Sequence, residues 1–189
     1  MTTFLSTKHV SLLGSLALVF CSALQAQENL GVARYDNNEL FFPDRTDEWI
    51  HLGSSLGSEY SDIPFDPANP GIIGVVQMEP TAYRYFLDHG EYADGSMFLL
   101  SFYGASAESS PQLPGFVQGE LQAKEIHIID SQRFAEGRGF FLYSAEDTAQ
   151  NASAKLPDNS ECVQCHMAEA QFNGTFTQFY PTIRKMINE

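Results

Sequence analysis

The sequence predicts an α+β domain: a predominantly antiparallel β sheet with short flanking helices, one of them close to the C-terminus. Two observations carry this. Strand-like runs follow one another through the middle of the chain, joined mostly by turns, which is the order of an antiparallel sheet rather than of βαβ units. Helical character is confined to one stretch after Pro80 and to residues 157–188. With 189 residues, 43% of them hydrophobic and 18% charged, the chain has the apolar content for one packed core. No repeat, low-complexity tract or linker divides it after residue 30, so residues 27–189 read as a single domain.

Taken in order, Glu39-Leu40-Phe41-Phe42-Pro43 opens the domain, and a short amphipathic stretch follows around Trp49, Ile50 and Leu52. Residues 53–70 are rich in Gly, Ser, Asp and Pro and predict a long surface loop. Gly71–Met78 predicts a strand, because Ile72, Ile73, Val75 and Val76 are β-branched. Pro80 suits the start of a helix, Tyr83, Phe86 and Leu87 recur at helical spacing, and Gly90 ends it. Asp94-Gly95 marks a turn into an apolar strand, Ser96–Tyr103. Beyond a second loop, Ser106–Gly115, a long strand runs from Phe116 to Ile129. After a turn with Asp130 and Gly137-Arg138-Gly139, a further strand covers Phe140–Ser144. Asn159 or Ser160 caps the first of the C-terminal helices.

Residues 1–26 hold no acid and one firm positive charge, Lys8, ahead of an apolar run from Val10 to Cys21 and a small-residue end at Ala23-Leu24-Gln25-Ala26. This is the order of a secretory signal peptide, and its apolar centre is shorter than the roughly 20 residues that span a bilayer. The bulky Phe20 before Cys21 disfavours processing as a lipoprotein. Cleavage after Ala26 predicts an exported, periplasmic protein with no remaining membrane segment. It removes Lys8 and Cys21, leaving Cys162 and Cys165 as the only cysteines. Acids outnumber bases by 24 to 10, for a formal charge of −14. That excludes the clustered Lys and Arg needed for a nucleic-acid or anionic membrane partner.

The chemistry lies in Cys162-Val163-Gln164-Cys165-His166. This Cys-x-x-Cys-His pattern is the attachment motif of haem c. Two thiols one helical turn apart each add to a vinyl group on one edge of the porphyrin, and the adjacent imidazole binds iron from the proximal side. The motif therefore predicts one haem c held through Cys162 and Cys165, with His166 as the metal ligand. Three plainer readings fit less well. A redox dithiol calls for a strand before the pair and a Gly-Pro-like insert. A structural zinc needs a second ligand pair, and a bare disulfide leaves His166 without a purpose.

The sixth coordination position separates electron transfer from ligand binding. Among residues after His166, Met167 is too close in sequence to cross the ring, and Met186 reads as packing on a terminal helix. His51 and His89 stand beside loop residues, and His127 lies mid-strand as a minor candidate. The balance favours an open iron that takes a small gas.

Several segments together resemble the cytochrome P-460 family, which includes the β-sheet cytochromes c′. They are Arg45-Thr46-Asp47-Glu48-Trp49, Gly90-Glu91-Tyr92-Ala93-Asp94-Gly95-Ser96, Gly119-Glu120 leading to Glu125, Asp130-Ser131-Gln132-Arg133-Phe134, the haem motif, and Phe176-Thr177-Gln178-Phe179-Tyr180-Pro181. The resemblance implies a mainly antiparallel β fold with one haem and His166 as proximal ligand, and a homodimer. It also places Glu125 near the distal side, as a candidate catalytic residue that relays protons. Members that oxidise hydroxylamine carry a lysine cross-linked to the haem. The matching position here is Leu100, and no lysine occurs between Lys8 and Lys124. A basic residue expected on the preceding strand is replaced by Gly74.

If Leu100 faces the haem, alternation turns Phe98 and Phe102 the same way, giving an apolar distal wall that offers bound O2 no hydrogen bond yet admits nitric oxide or carbon monoxide. Packing in the core is the competing account of Phe102. The leading expectation is an exported mono-haem cytochrome for nitric-oxide binding or detoxification. The alternatives are an oxidoreductase acting on hydroxylamine or a related nitrogen oxide, and an electron carrier whose acidic surface meets a basic redox partner.

Overall fold

Alternation of side chains along five paired strands builds the centre of the molecule and gives it two unlike faces. The computed structural model describes residues 32–57, 66, 68, 70–107 and 115–187. The expected leader, residues 1–26, and most of the two predicted loops lie outside them. Strands β1 (Tyr35–Asp36), β2 (Glu39–Phe41) and β8 (Ala152–Ala154) form a small antiparallel sheet in the order β1-β2-β8. Strands β3 (Ile50–Leu56), β4 (Ile72–Met78), β5 (Met97–Ser106), β6 (Val117–Ile129) and β7 (Arg138–Ser144) form the large one, each antiparallel to the next. The α+β class with its C-terminal helix is the observed one: α1 (Pro80–His89) precedes β5, and α2 (Glu161–Glu169) follows β8.

One face of the large sheet carries Met97, Leu99, Ile126, Ile128, Phe141 and Tyr143, which pack with Leu40, Phe42 and Trp49 into a buried core. Tyr143 ties the two sheets by donating its hydroxyl to the Leu40 carbonyl at 2.6 Å. Lys124 belongs to this face. It pairs with Ser101, donates to the Asp147 carbonyl and holds its ammonium 4.3 Å from the centre of the Phe42 ring. Burial lowers its pKa, with Asp147 and Glu146 pulling the other way.

The opposite face is set by two rows of cross-strand neighbours. Met78, Phe98, His127 and Phe140 form one row, and Val76, Leu100, Glu125 and Leu142 the next. Beside the first row α1 packs Ala82 and Phe86 against Leu52, Met78, Tyr92, Phe98 and Ile183. The helix begins as its sequence predicts, with Pro80 at the first turn, and the Glu79 carboxylate accepts from Ala82 N at 2.7 Å.

Three elements differ from expectation. The stretch around Trp49 is a short 3-10 turn, Thr46–Glu48, running straight into β3. The predicted loop from residue 53 starts late, because Gly53, Ser54, Ser55 and Leu56 are held in β3 by pairing with Val76, Val75, Gly74 and Ile73. Pairing overrides the weak strand propensity of Gly and Ser. Strand β8 was not foreseen at all; with three residues it is too short for periodicity to show.

Phe141 is fully buried between the sheets, with its ring tilted against Tyr35 at 6.5 Å between centroids. Phe141→Ala should therefore cost about 3–5 kcal/mol, read as a lower urea midpoint. A wild-type midpoint would show that this core does not hold the sheets together.

Candidate haem-binding site

The site begins with the way α2 is started. Ser160 is the N-cap, its hydroxyl accepting from Val163 N at 3.4 Å. One turn of helix then separates Cys162, half-buried, from Cys165, exposed, so both thiols share a helix face. His166 follows with its side chain 12% exposed. Its Nδ1 lies 2.8 Å from the Gly174 carbonyl. A carbonyl only accepts, so Nδ1 carries the proton and Nε2 keeps a free lone pair, the tautomer that a metal ligand requires.

The acceptor sits in a tight turn. Asn173 and Gly174 both have positive φ, 50° and 71°, while Phe172 and Thr175 exchange backbone hydrogen bonds across them. This is the geometry that Asn-Gly favours. Three buried hydroxyls fasten the turn to the body of the protein. The Thr175 hydroxyl donates to the Phe172 carbonyl at 2.6 Å, so its oxygen must accept from Thr177, also at 2.6 Å. The Thr177 oxygen in turn accepts from the Tyr92 hydroxyl at 2.7 Å. Because one end is an obligate acceptor, the whole chain of donors is fixed in direction.

Between α2 and the sheet lies a cavity of about 300 Å³. Its sheet wall is Val76, Phe98, Leu100, Glu125 and His127, with Gly53–Ser55 at the β3 edge. Cys165, His166, Thr175, Phe176, Phe179 and Tyr180 close the other side. Phe102 shares the sheet face of Phe98 and Leu100 by register, yet it is half-buried and not part of the lining. At Gly74, opposite Phe102, a Cβ would fall 2.9 Å from Ser55 Oγ and 3.4 Å from Leu100 Cδ1, so the missing side chain gives room to both. Among the described residues no lysine lines the cavity.

Two ionisable groups that the sequence singles out, Glu125 and His127, stand in the wall. Glu125 has 5% of its side chain exposed, and Oε1 stands 3.9 Å from His166 Nε2. Burial pushes the Glu125 pKa up to about 7, and burial lowers that of His166 against the opposing pull of the Gly174 hydrogen bond. The contact is thus between a neutral imidazole and a partly protonated carboxyl, not an ion pair. His127 is sandwiched between Phe140 at 4.3 Å and Phe98 at 5.6 Å, with its ring 5.9 Å from that of His166. Burial drives its pKa well down, with the coulombic influence of His166 and Arg138 in the same direction, so it is neutral, and among the described residues its Nε2 has no hydrogen-bond partner. The other histidines stand elsewhere: His51 and His89 are exposed, bonded to Ser54 and to the Tyr85 carbonyl. Met167 is 47% exposed and not part of the lining, and the side chain of Met186 lies outside the description.

These groups suit haem. A neutral imidazole offers a lone pair, two thiols stand on one helix face, the opposing wall is mostly apolar, and an orphaned buried nitrogen borders the space. The Cys162 thiol is moreover raised in pKa by burial and by the charge of Glu125. A reactive redox dithiol needs the opposite shift. The family model described as Cytochrome P460 matches residues 45–177.

The chain belongs to the Cytochrome P460 family.

It is therefore a haem-binding cytochrome. The P460 match runs from the turn before β3 to Thr177, taking in the large sheet, α2 and the Asn173-Gly174 turn. None of the curated proteins compared with the chain matches it. Gly174 and Arg138 lie outside the P460 motif segments, and their only local signals are the Asn173-Gly174 dipeptide and a basic residue at the start of β7. Thr177→Val would strand the Tyr92 hydroxyl and should cost about 1–3 kcal/mol in urea unfolding, with Thr177→Ser retaining most of the stability. Equal stability of the valine variant would mean that the hydroxyl chain does not brace the turn.

Proposed function

We propose that this protein is an exported, periplasmic mono-haem cytochrome that binds nitric oxide or carbon monoxide for nitric-oxide binding or detoxification. In this reading the haem is held covalently through Cys162 and Cys165, and His166 Nε2 is the proximal ligand. The observation that carries it is the apolar part of the wall opposite His166, where Val76, Phe98 and Leu100 line the cavity and, among the described residues, no lysine does. When bound, the haem supplies an iron with affinity for diatomic gases. The chain does the rest. The Gly174 carbonyl fixes the His166 tautomer, the Val76, Phe98 and Leu100 side chains offer no donor to a polar oxygen ligand, and Leu100 limits the size of what enters. Lys124, the only lysine between Lys8 and Lys155, belongs to the sheet face packed on Phe42, which supports a haem without a macrocycle cross-link.

One observation favours a second reading, oxidation of hydroxylamine or a related nitrogen oxide. Glu125 is a buried carboxyl at the cavity wall, and its raised pKa suits a group that accepts and returns a proton.

The deciding experiment is the optical spectrum of the purified protein, ferric and ferrous, with and without nitric oxide. An ordinary c-type, high-spin spectrum that responds to nitric oxide is expected. A strongly red-shifted ferrous Soret band would mean a cross-linked haem and favour the hydroxylamine enzyme. A low-spin spectrum indifferent to nitric oxide would leave an electron carrier. Two variants sharpen the expectation. Replacing both Cys162 and Cys165 with Ala should let acidified organic solvent extract the haem, which the wild type retains. Leu100→Ala should raise binding of a bulky isocyanide about tenfold or more, as roughly 1.4 kcal/mol of relieved crowding would, while nitric-oxide binding changes little.

A further inference from the structure

Arg138, at the start of β7, is half-buried and takes no part in the cavity lining. Its Nε donates to the Glu136 carbonyl at 3.0 Å, and among the described residues no carboxylate forms an ion pair with it. The guanidinium is pressed against the Asn173-Gly174 turn. A Cβ added to Gly174 would fall 2.6 Å from Nη1, 3.1 Å from Cδ and 3.5 Å from Cζ. An unpaired positive charge therefore lies in contact with the residue whose carbonyl receives the His166 Nδ1 proton at 2.8 Å.

We propose that Arg138 is a positioning residue for the proximal ligand, holding the Gly174 carbonyl and weakening it as an acceptor so that His166 remains a weak electron donor to iron. The inference rests on His166 being that ligand. The physics follows from the hydrogen bond. A strong acceptor draws the Nδ1 proton away, gives the imidazole imidazolate character, strengthens the iron–nitrogen bond and favours ferric iron. A cation beside the acceptor opposes each of these, and in a half-buried place it is poorly screened.

A purely steric role for Arg138, filling the space over Gly174, makes a different prediction. Arg138→Met keeps the alkyl stem and removes the charge, whereas Arg138→Lys keeps the charge. The test is made on the haem-loaded protein by resonance Raman spectroscopy of the ferrous form and by redox titration. Arg138→Met should shift the iron–histidine stretch to higher frequency and the midpoint potential to a more negative value, with Arg138→Lys close to wild type. If Arg138→Met does not fold, Arg138→Gln retains a donor for the Glu136 carbonyl without the charge and should give the same shifts. Unchanged values in the neutral variant, or equal shifts in the neutral and lysine variants, would overturn the proposal while leaving His166 as ligand. Absence of an iron–histidine band in a wild-type protein whose ferrous spectrum is high-spin would instead remove the ligation itself, and this inference with it.

Discussion

The pairing of β5 with β6 is the constraint from which the rest of the molecule follows. Both strands are covered on two sides, so each successive residue is committed to one of two environments. Leu99 and Ile126 belong to the core under the small sheet, while Leu100 and Glu125 belong to the cavity wall. Lys124 and Glu125 are adjacent in sequence and face opposite ways: one ammonium lies over Phe42, and one carboxyl stands near His166. A slip of one residue would exchange them, burying a carboxyl among aromatics and presenting an amine to the haem site. The buried Ile126, Ile128 and Phe141 resist such a slip, since it would turn all three out of their core.

The His166 side of the cavity obeys a different logic. It depends on a single backbone carbonyl, and three layers hold that carbonyl in place. Asn173 and Gly174 supply the backbone conformation, Thr175 and Thr177 supply hydroxyls, and Tyr92 anchors those hydroxyls beneath α1 through its stack on Phe86 at 4.6 Å. Each layer is satisfied internally, so little is left to fluctuate around the imidazole.

Legibility of the sequence followed the kind of signal each feature has. The Cys-x-x-Cys-His motif was readable because its residue types and spacing are fixed within five consecutive positions. Strands β4 to β7 and helix α1 were readable because β-branched runs, alternation, Pro80 and Gly90 act locally. Period-two alternation was enough to put Phe98, Leu100 and Phe102 on one face, but not to tell that only the first two reach the cavity. That distinction depends on where α2 comes to rest. Strand β8 has three residues, and the Ser-rich half of β3 is a strand only because β4 pairs with it. A backbone acceptor such as the Gly174 carbonyl leaves no side-chain signature at all. His127 was visible as a residue, but its isolation between two phenylalanine rings arises from three strands meeting in register.

The distance in sequence between the two sides of the site has a consequence for how such a protein diversifies. His166 and its acceptor are only eight residues apart, in one short stretch of chain. The facing wall comes from β4, β5 and β6, whose nearest contribution, His127, precedes His166 by 39 positions. On the proposed ligation, coordination is inherited as a compact cassette, whereas the surface that a ligand meets is spread over separate strands. Substitutions at Val76, Leu100 or Glu125 can therefore redirect which molecule is accepted without altering the segment that carries His166 and its acceptor. A lineage can change its chemistry one wall residue at a time while the grip on the cofactor stays as it was.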